Sequence, residues 1–361
     1  MPKRADGQRS RSGRAAAAGI TLNLALQGGG AHGAFTWGAL DRILESESVA
    51  FEGVSGASAG ALNAVAFASG WLADGRAGAR ETLARLWGRI ADKVPGSTMP
   101  TTALTQLAAP WGSQWSPTDM AVDMLTRMVS PYQFNPFDYN PLREILEQTI
   151  DFARLRAAAA PRIFIAATNV RSGRCRIFGN AELTADAVLA SACLPHLNRA
   201  IEIEGEPYWD GGLTANPPIL PLVEHCRSPH ILLIQITPAT AEESPTTAPG
   251  IGRRLSEIVF NAPLSREIDM LAMGTRIARD GIAFGGRMRR KLTSLKLHSI
   301  DATEALRLPG AASQIFPHWS MLSQLRDRGR DAAADWLAQE ALPEKGKPAK
   351  RRPAEGATNH K

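Results

Sequence analysis

Gly56, Ala57, Ser58, Ala59 and Gly60 form a GxSxG run, the pattern of a serine nucleophile on a tight turn with small neighbours. A serine hydroxyl attacks poorly until a base takes its proton. Trp209, Asp210, Gly211 and Gly212 supply a candidate. A partly buried carboxylate at hydrogen-bond distance from the hydroxyl can do this without histidine once desolvation has raised its pKa. The carbonyl oxygen that becomes an oxyanion needs N–H donors. The run Gln27 to Gly33, QGGGAHG, offers those of Gly28, Gly29 and Gly30 at a helix start, where backbone N–H groups have no partner within the helix.

The elements that would position these residues repeat a strand, turn and helix. Thr21 to Leu26 reads as a strand, the glycine run as a turn, and Ala31 to Leu44 as a helix; Ala50 to Val54, Ser55 to Gly60 and Ala61 to Ser69 repeat the sequence. Two such units predict a three-layer α/β/α domain on a mainly parallel sheet. Gly33, Gly56, Gly60, Gly211 and Gly212 support the three motifs as small residues at close turns. Leu83, Leu86, Trp87, Ile90 and Val94 recur at helical spacing. Further strands are expected at 162–168, 175–178, 201–203 and 231–236, with helices at 183–192 and 255–282. Asp210 is expected on the turn that follows 201–203.

The order QGGGAHG, GASAG, DGG resembles the patatin-like phospholipases, α/β-hydrolase-related enzymes with a Ser–Asp dyad, and the resemblance runs from about Leu22 to Ile236. It implies Ser58 as nucleophile, Asp210 as base, and N–H donors around Gly28, Gly29 and Gly30. The implied reaction is cleavage of a lipid acyl ester of the phospholipase A or lysophospholipase kind, with no cofactor and no metal. Two positions depart from the family pattern: His32 stands where arginine is usual, and Gln27 where some members carry aspartate. Three other readings compete. Gly28, Gly30 and Gly33 also satisfy a dinucleotide GxGxxG with Glu52 near the acidic position, although Glu52 falls inside the strand leading to the serine turn. A Ser–His–Asp esterase could draw on His298 or His318 by order, and a non-catalytic lipid-binding protein would keep the fold without the chemistry.

Composition bounds the rest. The chain has 361 residues, 44% of them hydrophobic, enough for one large core. No apolar run is long enough to span a bilayer and no signal-peptide pattern opens the chain, which gives a cytoplasmic expectation, peripheral to a membrane or lipid surface where the substrate lies. The net charge of +6 resides in the tails 1–19 and 343–361, both expected to be disordered, so the remainder has no basic excess and nucleic acid is not an expected partner. The hydrolase domain is assigned to 20–342, with a Pro-, Trp- and Met-rich insertion at about 95–140 carrying Trp111, Trp115, Met120, Met124 and Met128, and a helical part at about 250–342. Cys175, Cys193 and Cys226 are expected as buried free thiols, and Arg287, Arg289, Arg290 and Lys291 as a solvated face.

Overall fold

The structure, a computed structural model, describes residues 19–93, 130–280, 286–306 and 318–340. Both tails, most of the 95–140 insertion with its two tryptophans and three methionines, and Val94 lie outside the described residues.

The chain opens as β1 (Ile20–Leu26), α1 (Gly33–Ile43), β2 (Val49–Gly56) and α2 (Ala59–Lys93). It continues through α3 (Pro131–Phe134), α4 (Pro141–Thr149), α5 (Phe152–Ala157), β3 (Arg162–Asn169), β4 (Cys175–Gly179) and α6 (Ala185–Ser191). There follow β5 (Ile201–Ile203), β6 (Glu206–Asp210), α7 (Leu220–His225), β7 (His230–Gln235), α8 (Ala248–Arg279), α9 (Gly286–Ser294), β8 (Lys296–Asp301), α10 (Thr303–Leu306) and α11 (Trp319–Gln339).

The eight strands form one sheet in the order β5-β6-β3-β2-β1-β7-β8, with β4 also paired to β3. Strands β3, β2, β1, β7 and β8 run parallel, whereas β4 and β6 are antiparallel to β3 and β5 is antiparallel to β6. The sheet is therefore mixed, with its antiparallel part at one side. Two strands were not expected. β6 carries Glu206, Pro207 and Trp209, and β8 is a largely exposed edge with the polar run Lys296 to Asp301, so neither shows a buried apolar pattern. Asp210 consequently closes a strand rather than lying on a free turn.

The central strands alternate with period two. Leu22, Leu24 and Leu26 of β1 and Leu232 and Ile234 of β7 join α1, α2 and α11 in one apolar cluster. Ala25, Ile231 and Leu233 face the other way, with Leu222 of α7, Leu264 and Leu271 of α8 and Leu292 of α9. β1, β2 and β7 all deliver their C-terminal ends to the same edge, with β2 on one side of β1 and β7 on the other. Open α/β sheets hold their ligands in such a crevice.

The expected surface helix through Leu83 and Ile90 is the second half of α2, and Asp74 and Gly75 break the helical path between the halves. Cys193 and Cys226 are buried free thiols as expected, but Cys175 is exposed. Lys291 does not join Arg287, Arg289 and Arg290 on the solvated face, because its ammonium donates to the carbonyls of Cys226 at 2.8 Å and Ser228 at 2.6 Å. Among the described residues no helix is long and apolar enough to cross a membrane, and no cluster of side chains could hold a metal ion.

Candidate active site

Strand β2 extends through Gly56, two residues further than its apolar pattern suggests, so the turn before α2 is very tight. Ser58 takes a φ of 53° there, a left-handed conformation that costs a non-glycine residue about 1 kcal/mol and is typical of strained functional turns. The turn is held from both sides. Its N–H lies 3.0 Å from Ser191 Oγ and 3.2 Å from Ser191 O, and its carbonyl accepts from Ala61 and Leu62. Only small residues fit around it: a Cβ on Gly60 would stand 2.0 Å from the Leu26 carbonyl, and one on Gly56 would press on Gly60 itself. A Cβ on Gly33 would stand 2.7 Å from the Ala59 Cβ and 2.9 Å from the Trp87 ring.

The glycine loop lies directly against the serine. A Cβ on Gly28 would meet the Ser58 Cβ at 2.6 Å. The Gly28 N–H is already used, donating to Asn216 Oδ1 at 2.7 Å. That removes it from the expected donor set and leaves Gly29 and Gly30, which are half-buried and whose N–H groups make no hydrogen bond among the described residues. Gly30 has a φ of 59° and starts a short 3-10 turn ending at buried His32, the N-cap of α1. His32 is thus a helix-start residue beside the site.

Asp210 ends β6 with no solvent exposure. Its N–H donates to the Cys193 carbonyl at 2.8 Å and its carbonyl accepts from Thr168 Oγ1 at 2.8 Å, so the backbone is pinned. Oδ1 accepts the Gly212 N–H at 2.7 Å, while Oδ2 has no hydrogen-bond partner. Burial lifts the carboxyl from 3.8 to about 7; the nearby Ser58 hydroxyl and the Gly212 N–H draw it partly back. Ser58 is thus close enough to act on the carboxylate, short of a formed hydrogen bond, as is common before substrate binds. Gly211 lies against the Ala166 carbonyl and Gly212 against the Phe260 ring, so neither has room for a side chain.

Two contributors, Ser191 and Asn216, carry no local signature, and a third, Gln27, stands out in the sequence only as a departure from the family pattern. Ser191 holds the serine turn. Asn216 Nδ2 donates to the Phe260 carbonyl at 3.2 Å, so that side chain joins the glycine loop to α8. Gln27, fully buried, accepts the N–H groups of Ile236 at 2.7 Å and Thr237 at 2.8 Å and donates to Asn261 Oδ1 at 2.9 Å. A neutral amide makes these bonds as both acceptor and donor, which explains how the loop stands without an aspartate at that position. Replacing Asn216 with alanine is expected to free the Gly28 N–H and lower kcat about 10- to 100-fold with a smaller change in KM, measured on a soluble ester.

The rival arrangements fare differently. Glu52 accepts the N–H groups of Arg227 at 2.6 Å and Ser228 at 2.7 Å, near the start of β7 and so away from the glycine loop; it is not placed for a ribose. His298 bonds His230 at 3.0 Å and Glu340 at 3.1 Å. His230 opens β7 at the end of the strands opposite Ser58, and His298 is level with Leu232 in the middle of β8, two strands away from β1. His318 caps α11.

An α/β sheet with a serine on a strand-to-helix turn and a glycine loop beside it is the frame of an α/β hydrolase. The family model for patatin-like phospholipases matches residues 24–223, and the chain belongs to that family. Membership supports lipid acyl hydrolase activity in general terms and a lipid substrate. VipD from Legionella pneumophila, a solved structure, aligns at 15% identity over 90% of this chain and 67% of its own, with a TM-score of 0.41. No curated protein matches.

Proposed function

We propose that the protein hydrolyses the acyl esters of lipids through a Ser58–Asp210 dyad. The observation that carries this reading is the state of Asp210: fully buried, with Oδ2 unpartnered and the Ser58 hydroxyl beside it. Asp210 takes the proton as Ser58 Oγ bonds to the ester carbonyl carbon, and the N–H groups of Gly29 and Gly30 receive the charge that develops on the carbonyl oxygen. The carbon–alkoxy bond then breaks, the leaving alcohol takes the proton from Asp210, and an acyl-Ser58 remains. Water, deprotonated by the same carboxylate, attacks the acyl carbon; the bond to Ser58 Oγ breaks, Oγ takes the proton back from Asp210, and the fatty acid leaves. Each donor aimed at the oxyanion is worth about 3 kcal/mol of barrier. No step requires a metal or an organic cofactor. Residues 20–342 form the hydrolase unit in this reading.

The test pairs fluorophosphonate labelling with fatty acid release from mixed phospholipid vesicles. Labelling at Ser58 with release of fatty acid supports the proposal, and a folded protein that does neither refutes it. His298→Ala and His318→Ala are expected to label within about twofold of the wild-type rate, whereas a true triad histidine would cost about 10³-fold or more.

A further inference from the structure

Helix α8 is turned inside out over its first half. A surface helix ordinarily directs its apolar stripe at the core and its polar face at water. Here Ile251, Leu255, Ile258 and Val259, on one face at i, i+4, i+7 and i+8, are exposed by 52%, 60%, 49% and 42%. Two polar residues look inward: Arg254 donates to the carbonyls of Pro238 and Ala239, and Asn261 to that of Pro238 while accepting from Gln27, whereas Arg253 and Ser256 are exposed. Beyond Pro263 the usual sense returns, with Leu264, Leu271 and Ala278 buried against the sheet.

The inverted half is also the part that borders the catalytic edge. Asn261 bonds Gln27 at the root of the glycine loop, the Phe260 carbonyl receives Asn216, and the Phe260 ring covers Gly212 beside Asp210. Leu264, Leu271 and Ala278 pack further down the sheet face with Leu292 of α9, so residues 251–259 extend from the end of α8 that borders the site. The apolar stripe therefore begins within two residues of side chains that touch the glycine loop and Gly212. The first charged residue down that face is Arg266, exposed and without an ion pair among the described residues, placed as a cation at the border of an apolar strip that meets anionic headgroups.

We infer that the first half of α8 is a lipid-docking surface: Ile251, Leu255, Ile258 and Val259 seat in the surface of a lipid aggregate and hold the mouth of the site against it. This rests on the lipid hydrolase reading, and the experiment separates the two. Vesicles of equimolar phosphatidylcholine and phosphatidylglycerol are co-sedimented with the Ser58→Ala protein, so that binding is read without turnover. The same α8 variants in the wild-type background are assayed on those vesicles and on a short-chain ester below its micelle concentration. Leu255→Asp and, separately, Ile258→Ser are expected to weaken co-sedimentation at least about tenfold and vesicle hydrolysis by a similar factor. Turnover of the monomeric ester and the melting temperature stay near wild type, since exposed side chains away from special features contribute little to stability. Met273→Asp, on the exposed side of α8 beyond Pro263, keeps full vesicle binding. The inference is overturned if the variants bind vesicles as wild type does, if monomeric and vesicle turnover fall together, if Met273→Asp is equally impaired, or if the variants dissociate a dimer, which would make the stripe an interface between two copies. Absence of any ester hydrolysis by the wild type refutes the proposed function instead, leaving the co-sedimentation result to stand by itself.

Discussion

Ser58→Ala is expected to abolish fluorophosphonate labelling and to lower ester hydrolysis by about 10⁶-fold, the loss typical of removing a nucleophile from a unit that acts together. The fold should survive the change. The contacts that hold the turn come from the Ser58 backbone, its N–H to Ser191 and its carbonyl to Ala61 and Leu62, and alanine keeps both. Ser58→Gly gives a second, opposite readout. At a φ of 53° glycine relieves strain that serine and alanine both carry, so this variant should be more stable than Ser58→Ala by about 1 kcal/mol while equally inactive. Denaturant melts of the three proteins measure the difference. A glycine variant no more stable than the alanine one would mean that the turn is not strained, and residual labelling in either would place the nucleophile elsewhere.

The parts of the site that were legible in sequence are those whose physics is local. A nucleophile on a strand-to-helix turn needs small residues within a few positions, so the run from Gly56 to Gly60 announces itself, and Leu22, Leu24 and Leu26 in β1 mark at period two the face that joins the core. The parts that were not legible depend on partners far along the chain. Gln27 meets Asn261 across 234 positions and Gly28 meets Asn216 across 188, and a single amide in a helix or loop carries no sign of such a partner. For that reason the sequence does not show that the Gly28 N–H, one of the three expected donors, is held by Asn216. Strands β6 and β8 escaped notice because an edge or a half-covered strand needs no apolar alternation. Asp210 was found by its two glycines, yet its setting as the end of a strand pinned by Cys193 and Thr168 came only from the fold. The outward apolar stripe on α8 overlaps the helix expected over 255–282, but periodicity tells that a face exists and not which way it points.

Asp210→Asn is expected to lower kcat about 10³- to 10⁴-fold and, at the same time, to stabilise the protein at alkaline pH. The first effect follows from losing the base, since asparagine can still accept the Gly212 N–H but cannot take a proton from Ser58. In the wild type the same carboxylate sets the pH profile: with a pKa raised to about 7, kcat/KM should rise about tenfold per pH unit up to that value and level off above it. The second effect follows from linkage. Burial raises the folded-state value from 3.8 to about 7, so between those limits the folded protein holds a proton that the unfolded chain releases. The contribution of Asp210 to stability is therefore complete below about pH 4, declines as pH rises through about 7, and at higher pH leaves a buried anion that costs on the order of a few kcal/mol. Asparagine carries no such penalty. Wild type and variant should melt at similar temperatures near pH 4, separate progressively up to about pH 7 and keep that gap above it, with the inactive protein the more stable of the two. Equal melts at every pH would mean that Asp210 is solvated or paired in solution, and the carboxylate could not then be the poised base that the chemistry at Ser58 requires.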